Sequence, residues 1–422
     1  MHRRIYNFLS KHNVLYKHQF GFRKNYSTSL ALLDVVDTCY RNLDQNNKII
    51  GIYFDLQKAF DTVDHSIVLY KLYSYGIRGI MYNWIKNYLT DRKQFTVVDN
   101  VSSDVGNITC GVPQGSVLGP LLFLIYVNDI GTAVPNNKLK LFADDTNLFV
   151  YGSSFSNIEI ETNLYLKQME SWFINNKLSL NIEKTCYIIF DSRRKSLNNL
   201  SLNLLINGQR IEKVSSSKYL GVIVGCSLQW SEHIEYVYKK LAKFTAIFYS
   251  LRNNVPQQCL KKLYYAFVYP HIIYGLEVYG NTTKTRLDKL NKVHNKILRI
   301  LALKTSTTPV AKLYVAINTL PIPILHEMLL LIFVHNYVHH KQTLPHIFHN
   351  YFTENNIVHG HNTRRKNDFH IFSVRSGFGQ RCTLYRAIKF WNNLPLYLKD
   401  ISSLPVFKKK VKLFLLNKFL NS

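Results

Sequence analysis

Acidic side chains are scarce in this sequence, and scarcest where the cations are densest. Across 422 residues there are 26 Asp and Glu against 53 Lys and Arg, a formal charge of +27. Residues 241–422 hold only six acids, Glu277, Asp288, Glu327, Glu354, Asp368 and Asp400, against 26 basic residues. That segment alone carries +20 of the total. Self-repulsion on this scale argues against a chain that works without a polyanionic partner, and nucleic acid is the usual one. A polybasic membrane-binding surface fits less well, because the cations are spread through aromatic sequence and do not flank a hydrophobic anchor.

Close cysteine pairs are missing too. Cys39, Cys110, Cys186, Cys226, Cys259 and Cys382 lie far apart, which excludes a zinc ribbon or knuckle and suits reduced thiols inside a cell. The first residues, Met-His-Arg-Arg-Ile-Tyr, lead into no apolar run of signal-peptide length. Residues 320–334 are the most apolar, yet they contain two prolines, His326 and Glu327. They are too short and too polar to span a bilayer and predict a core helix. His326-Glu327 has no second His at the spacing of a zinc protease, and no Glu follows His335 as that site requires. The glycines at 111, 115 and 119 do not open into the Gly-Lys-Ser/Thr of a phosphate-binding loop. His335, His339, His340, His359 and His361 therefore read as part of a basic nucleic-acid or surface region. No internal repeat and no long low-complexity tract is present.

What the chain does have is a strand–helix alternation that turns mostly helical after residue 231. Ser27-Thr28-Ser29 is a plausible cap for a helix over 27–43. Residues 48–55 predict a buried strand ending on an acid. Helices are expected over 65–75, 80–89, 118–130 and 158–176. Strands are expected over 96–105, 108–112, 186–190, 202–206 and 219–224. Residues 138–151 are apolar on both sides of Ala143-Asp144-Asp145-Thr146-Asn147, the pattern of a hairpin with a polar turn.

Two adjacent carboxylates in a turn are ordinary, because Asp favours turns. Asp55 is not ordinary. It terminates an almost wholly apolar strand, where a lone carboxylate is costly unless it meets a cation. If the two strands are neighbours, Asp55, Asp144 and Asp145 converge on one edge of a sheet. Hard oxygen donors in that number suit Mg²⁺, which binds through one or two carboxylates together with phosphate oxygens. Two such ions a few ångströms apart are the general device of nucleotidyl transfer.

At these residues the sequence begins to resemble a family. Phe54-Asp-Leu-Gln-Lys-Ala-Phe-Asp61, continuing Thr-Val-Asp-His65, is similar to the first catalytic motif of reverse transcriptases from non-LTR, LINE-type retrotransposons. Gly111-Val-Pro-Gln-Gly-Ser-Val-Leu-Gly-Pro120 resembles their nucleotide-contacting motif, and Phe142-Ala-Asp-Asp145 their second catalytic motif. His18-Gln-Phe-Gly-Phe-Arg23 resembles the preceding fingers motif. Leu180-Asn-Ile-Glu-Lys-Thr185 and Tyr219-Leu-Gly-Val222 resemble the two that follow. Each string alone is weak; six in order are specific.

The resemblance implies an α+β right-hand polymerase: partial fingers at 1–48, an antiparallel-sheet palm at 49–226, a helical thumb at 227–303 and a basic, mostly helical C-terminal region at 304–422. It implies a nucleotidyltransferase, an RNA-directed DNA polymerase extending a DNA primer on an RNA template with deoxynucleoside triphosphates and two Mg²⁺ ions, or Mn²⁺ in their place. Asp55 and Asp144 would be shared metal ligands, helped by the Leu56 carbonyl, with Asp145 in support. Lys184 would protonate pyrophosphate. Arg23 or Lys24 would hold the triphosphate, Phe60 would exclude a ribose 2′-hydroxyl, and Gln114 with Gly115 would contact the nucleotide. Leu220 and Gly221 would belong to the primer grip. Lysines of the thumb position, Lys239, Lys240, Lys243, Lys261 and Lys262, would reach a duplex. Residues 407–414 read as a nuclear address, a nucleic-acid contact or simply an amphipathic helix with a lysine face.

The family's endonuclease and early fingers segment are missing, so a fragment of a longer reading frame is expected, working in nucleus and cytoplasm as a ribonucleoprotein without a membrane. The alternatives are a catalytically silent nucleic-acid-binding relic and a cellular or maturase-type reverse transcriptase.

Overall fold

The structure is a computed structural model of the chain, and it describes residues 1–135, 138–191, 200–358, 366 and 368–421. The chain folds into two compact units. The first comprises residues 1–27 and 48–214; the second comprises residues 28–47 and 215–422.

The first unit is built on a five-stranded sheet. Its strands are β1 (Lys48–Phe54), β2 (Leu139–Phe142), β3 (Asp145–Gly152), β4 (Cys186–Phe190) and β5 (Glu212–Lys213), in the order β5-β4-β1-β3-β2. All neighbours pair antiparallel except β5 with β4. β1 is apolar along its length because it is central, with a strand on either side and six of its seven residues buried. At its middle only glycine fits: a Cβ at Gly51 would stand 2.9 Å from the Phe149 ring and 3.0 Å from that of Phe190. The amphipathic helix Phe155–Asn175 packs on β1 and β3. The helix Gly119–Val127 is apolar all round and buried all round, as a core helix should be. Asp64 caps the helix His65–Ser74, accepting from the amides of Ser66 and Ile67, and pairs with Lys177 at 2.6 Å. Although burial acts the other way, those partners hold its carboxyl below the usual carboxylate range.

Residues 93–112 depart from expectation. The strands expected over 96–105 and 108–112 are reduced to the two-residue pairs Lys93–Gln94 with Gly106–Asn107 and Val97–Val98 with Val101–Ser102, all exposed. Alternation without a buried face to reward it does not extend a ladder.

In the second unit the helix Thr28–Asp44, expected from its sequence position to close the fingers, packs with the short helices Leu276–Tyr279 and Gly377–Arg381. Two of its carboxylates accept from backbone amides more than 300 residues away, Asp37 at the start of a helix and Asp44 just before one. Asp37 is fully buried and accepts from the amides of Thr383 (2.7 Å) and Leu384 (3.1 Å) and from the Tyr351 hydroxyl. Asp44 accepts from the amides of Arg375 (3.0 Å) and Ser376 (2.7 Å). Negative charge is favourable at a helix N-terminus. Helices Ser231–Leu251 and Lys284–Leu301 pack together, and the apolar helix Ile322–His339 packs against Thr383–Asn392 and Leu404–Leu420. Ile322–His339 is long and apolar enough to meet a membrane-span criterion; its packing accounts for that composition here. In Leu404–Leu420, Phe407, Val411, Leu415 and Leu416 are buried while Lys408, Lys409 and Lys410 are exposed. One stripe of this helix is buried and the three lysines lie off it, alongside the exposed Val406, Leu413 and Leu420.

His335 is a correction. It is not on the surface but fully buried, stacked on Phe407 at 4.1 Å, with its Nε2 2.6 Å from the Ile401 carbonyl. His339 and His340 place their Nε2 atoms against the carbonyls of Lys399 and Ser402. His359 and His361 lie outside the described residues.

Four histidines of this unit are buried, and burial pushes His294 and His326 down to about 3 and His233 and His335 down to about 4. In the unfolded chain each takes up a proton near pH 6.5, so below that pH the unfolded state binds more protons and stability falls. The carboxyls of Glu277, Glu327 and Asp145, pushed up mainly by desolvation, act in the opposite sense, three groups against five once His271, also pushed down, is counted. Each histidine contributes a loss of about 1.4 kcal/mol per pH unit below its unfolded value. The melting temperature is therefore expected to drop markedly between pH 7.5 and pH 5, and a flat thermal profile over that range would contradict the buried neutral state.

Candidate active site

The register of β1 on β3 decides where the acids go. Phe54 pairs with Thr146 as the last rung, so the next residue, Asp55, faces Asp145 across the end of the strand pair. Asp145 opens β3 opposite Phe142, and Asp144 stands before it in the turn. The three carboxylates feel one another. Desolvation by the surrounding protein, then the negative charges of Asp144 and Asp55, push the Asp145 carboxyl up to about 6. The expected convergence of the three acids is what the strand pairing produces.

Both chain segments are fixed from outside the sheet. Beyond β1, the Asp55 carbonyl accepts from the Asn181 amide (2.8 Å), and the Gln57 amide donates to the Ser179 carbonyl (2.9 Å). Leu56 bridges to Leu180, and its own carbonyl takes no part in those two bonds. This clamp brings Lys184 to the same cavity as Asp55: Asp55, Leu56, Gln57, Asn181 and Lys184 line a space of about 540 Å³. On the other side, Ala143 precedes Asp144 with φ +55°, a left-handed conformation unfavourable for alanine. Gln19 holds it there. The Gln19 side chain is buried; its Oε1 accepts from the amides of Ala143 (2.9 Å) and Gly21 (2.8 Å), and its Nε2 donates to the Ala143 carbonyl (3.3 Å). Gly21 lies so close that a Cβ there would stand 2.2 Å from the Ala143 nitrogen.

Around this centre the other expected residues are arranged unevenly. Phe60 is half-buried, stacked on Phe123 at 4.3 Å and met edge-on by Phe22 at 6.0 Å. The glycine-rich segment is laced to residues 60–65: the amides of Gly111 and Val112 donate to the carbonyls of Val63 and Phe60, and the Gln114 amide donates to Asp61 Oδ1 at 2.8 Å. Gly115 is exposed at φ +78° with open space about it. Arg23 has its guanidinium on the carbonyls of Tyr16 (2.7 Å) and Gln19 (3.2 Å) and over the Tyr26 ring, whereas Lys24 is exposed. Leu220 and Gly221 lie in the second unit, at the turn between Ser216–Tyr219 and Val222–Gly225, where Tyr274 donates its hydroxyl to the Leu220 carbonyl at 2.7 Å.

Sequence reasoning singled out neither Gln19, Phe22, Asp61 nor Phe123. Gln19 and Phe22 sat inside a quoted motif, but only the burial of one and the exposure of the other separate them from their neighbours. Among the described residues, no three or more His, Cys, Asp or Glu side chains stand as a finished metal cage. The donor chemistry nevertheless suits a hard divalent cation: carboxylate oxygens of like charge brought to the end of one strand pair, whose repulsion a cation would offset.

A family described as reverse transcriptase (RNA-dependent DNA polymerase) matches residues 1–224. Among curated proteins, the chain is similar to the RNA-directed DNA polymerase from mobile element jockey of Drosophila melanogaster, 31% identical over 294 residues, covering 67% of this chain and 31% of that protein. It is also similar to the probable RNA-directed DNA polymerases from transposon BS (26% identical, 71% and 34% covered) and transposon X-element (24%, 71% and 33%) of the same organism. The chain thus spans about a third of the length of these relatives. Among solved structures, telomerase from Candida albicans with a fragment of telomeric RNA aligns at 13% identity and a TM-score of 0.43 over 75% of this chain and 56% of that one.

The contact between Gly21 and Ala143 yields a direct test. A methyl at position 21 must displace the backbone that carries Asp144, and overpacking of this kind costs about 1–3 kcal/mol. Gly21→Ala should lower the melting temperature accordingly, measured by circular dichroism. An unchanged melt would mean the segment is not pressed against the turn.

Proposed function

The chain belongs to the reverse transcriptase (RNA-dependent DNA polymerase) family, and from that premise we propose that it extends a DNA primer on an RNA template as the polymerase portion of a non-LTR retrotransposon protein. The observation that carries the reading is the meeting of Asp55 with Asp144 and Asp145 at the end of one antiparallel strand pair.

Asp55 and Asp144 hold the catalytic divalent ions, with the Leu56 carbonyl as a further donor and Asp145 in support. When bound, two Mg²⁺ ions supply activation of the primer 3′-hydroxyl and charge stabilisation at the departing pyrophosphate. The reaction forms a bond from the primer 3′-oxygen to the α-phosphorus and breaks the one between the α-phosphorus and the bridging oxygen to the β-phosphate. The protein's own share is positioning and electrostatics. Lys184, in the same cavity as Asp55, donates a proton toward the pyrophosphate oxygen as it leaves. Phe60, braced by Phe123, lies beneath the deoxyribose. Asp61 fixes the Gln114 amide with its NH₂ turned inward, so the Gln114 oxygen, with Gly115, meets the nucleotide. Of the two candidate cations for the triphosphate, Arg23 is occupied with backbone carbonyls and Lys24 is the better placed. Leu220 and Gly221 steady the primer, and the basic surface of residues 241–422 holds nucleic acid through its phosphates. Such a chain would work as a ribonucleoprotein in nucleus and cytoplasm.

Asp55→Asn and Asp144→Asn separate this reading from a silent relic. Each removes one of three repelling charges, so stability should be unchanged or raised. Primer extension on an RNA template with Mg²⁺ should nevertheless fall by about a thousandfold, the scale of losing one electrostatic contact at a reacting centre. Wild-type extension that Asp55→Asn leaves intact would sink the assignment.

A further inference from the structure

Phe22 is the most conspicuous side chain near the site that the mechanism leaves unused. Its ring is 53% exposed. Its backbone has φ +53°, the left-handed region that bulky L-residues avoid. Nothing about a solvent-facing surface residue requires either feature. Strained backbone persists only where the surroundings hold it, and it collects at functional sites.

The surroundings here are the site itself. One residue earlier, Gly21 is pressed against Ala143, and Gln19 ties Gly21 and Ala143 to the same amide oxygen. The backbone of Phe22 is therefore anchored to the turn that carries Asp144. Its ring is anchored separately, perpendicular to Phe60 at 6.0 Å, with an interplanar angle of 89°. Phe60 in turn lies nearly parallel to Phe123. Two rings at right angles make a corner: the exposed part of Phe60 is one wall, and Phe22 is the other. The corner is apolar and open, and its backbone is fixed to the aspartate turn.

We infer that Phe22 is a specificity-determining residue for the nucleotide: with Phe60 it forms an aromatic corner that receives the C2′ side of the incoming deoxyribose. This rests on the polymerase reading above. A deoxyribose presents a CH₂ at that position, which packs against ring edges without loss. A ribose presents a hydroxyl, which the corner would strip of water and offer no partner. The left-handed backbone at Phe22 is then the cost of turning a ring inward from a loop that must also hug Ala143.

The test uses the full chain on an RNA template carrying a dideoxy-terminated DNA primer, so that nucleotide binds with Mg²⁺ and no chemistry follows. Binding of dATP and ATP is measured by titration calorimetry for wild type, Phe22→Asn and Phe22→Tyr, alongside thermal melts of each protein. Asn adopts the left-handed conformation readily, so Phe22→Asn should melt at the wild-type temperature or above it. Its dATP affinity should fall about tenfold, the scale of one lost aromatic contact. ATP affinity should change less, narrowing the preference. Phe22→Tyr should bind as wild type does. If Phe22→Asn melts lower and keeps its dATP affinity and preference, Phe22 is surface packing and the inference fails while the polymerase reading stands. If wild type in this complex binds no dATP, both fail together.

Discussion

Three carboxylates brought to the end of one strand pair repel one another, and the architecture of the first unit can be understood as the means of keeping them there. The pairing of Phe54 with Thr146 sets Asp55 against Asp145. A slip of one residue would put a side chain where Gly51 now admits the rings of Phe149 and Phe190, and would carry Asp55 away. That close packing over the centre of the strand resists the slip. The remaining freedom lies in the segments beyond the sheet. Each is tied by hydrogen bonds to a different part of the chain: residues 179–181 hold the end of β1, and Gln19 holds the turn before β3. Core packing and hydrogen bonding thus outweigh a local electrostatic cost that a divalent cation would convert into binding energy.

The second unit handles charge in the opposite way. Its acids are few, and two of those on the helix Thr28–Asp44, Asp37 and Asp44, accept from backbone amides far along the chain, Asp37 at the start of a helix and Asp44 just before one. Glu327 and Asp368 pair with Lys418 and Lys399. Six acids against 26 basic residues beyond residue 240 leave a large local excess of cations, even though Lys289 reaches back to Glu235. A surface left in that state attracts phosphate and loses that attraction steeply as salt rises. The C-terminal region is also no detachable tail. The helix near residue 40 is capped onto residues 375–384, so deleting the end of the chain would strip buried carboxylates of their donors.

Much of the site was readable because it obeys local rules. A wholly apolar strand ending on an acid, a polar turn between apolar runs and a glycine-rich loop before an apolar helix are short-range patterns, and β1, the hairpin of β2 and β3, β4 and the helix Gly119–Val127 formed where those patterns lie. The misses share a physical cause. Residues 93–107 alternate like a strand but have no core to cover, so pairing stops after two residues at a time. His335 looked like a surface group because a neighbouring histidine stands four residues on, yet Phe407, 72 residues away, decides its burial. The place of Thr28–Asp44 in the second unit depends on contacts more than 300 residues distant, which no window on the sequence contains. Gln19 belongs to the same class: a glutamine in a loop is unremarkable until its amide is seen to satisfy three backbone groups at once.

Backbone strain links these observations. Asn and Asp tolerate positive φ, and several such residues adopt it here, as in ordinary turns. Phe22, Lys58, Ala143 and Leu220 tolerate it poorly, and all four lie in motif segments. The others of poor tolerance, Lys177, Leu228, Trp230 and Leu303, lie outside them, so strain alone does not mark a site. What distinguishes Ala143 and Phe22 is that each strained residue has an identified restraint: a buried glutamine for the first, a neighbouring glycine and an aromatic ring for the second. A left-handed alanine costs on the order of 1 kcal/mol, and the hydrogen bonds from Gln19 offset a cost of that size. The turn is therefore set by residues 18–21 as much as by its own sequence, which is why Gln19 and the turn that carries Asp144 and Asp145, 124 residues apart at Ala143, behave as one structural feature.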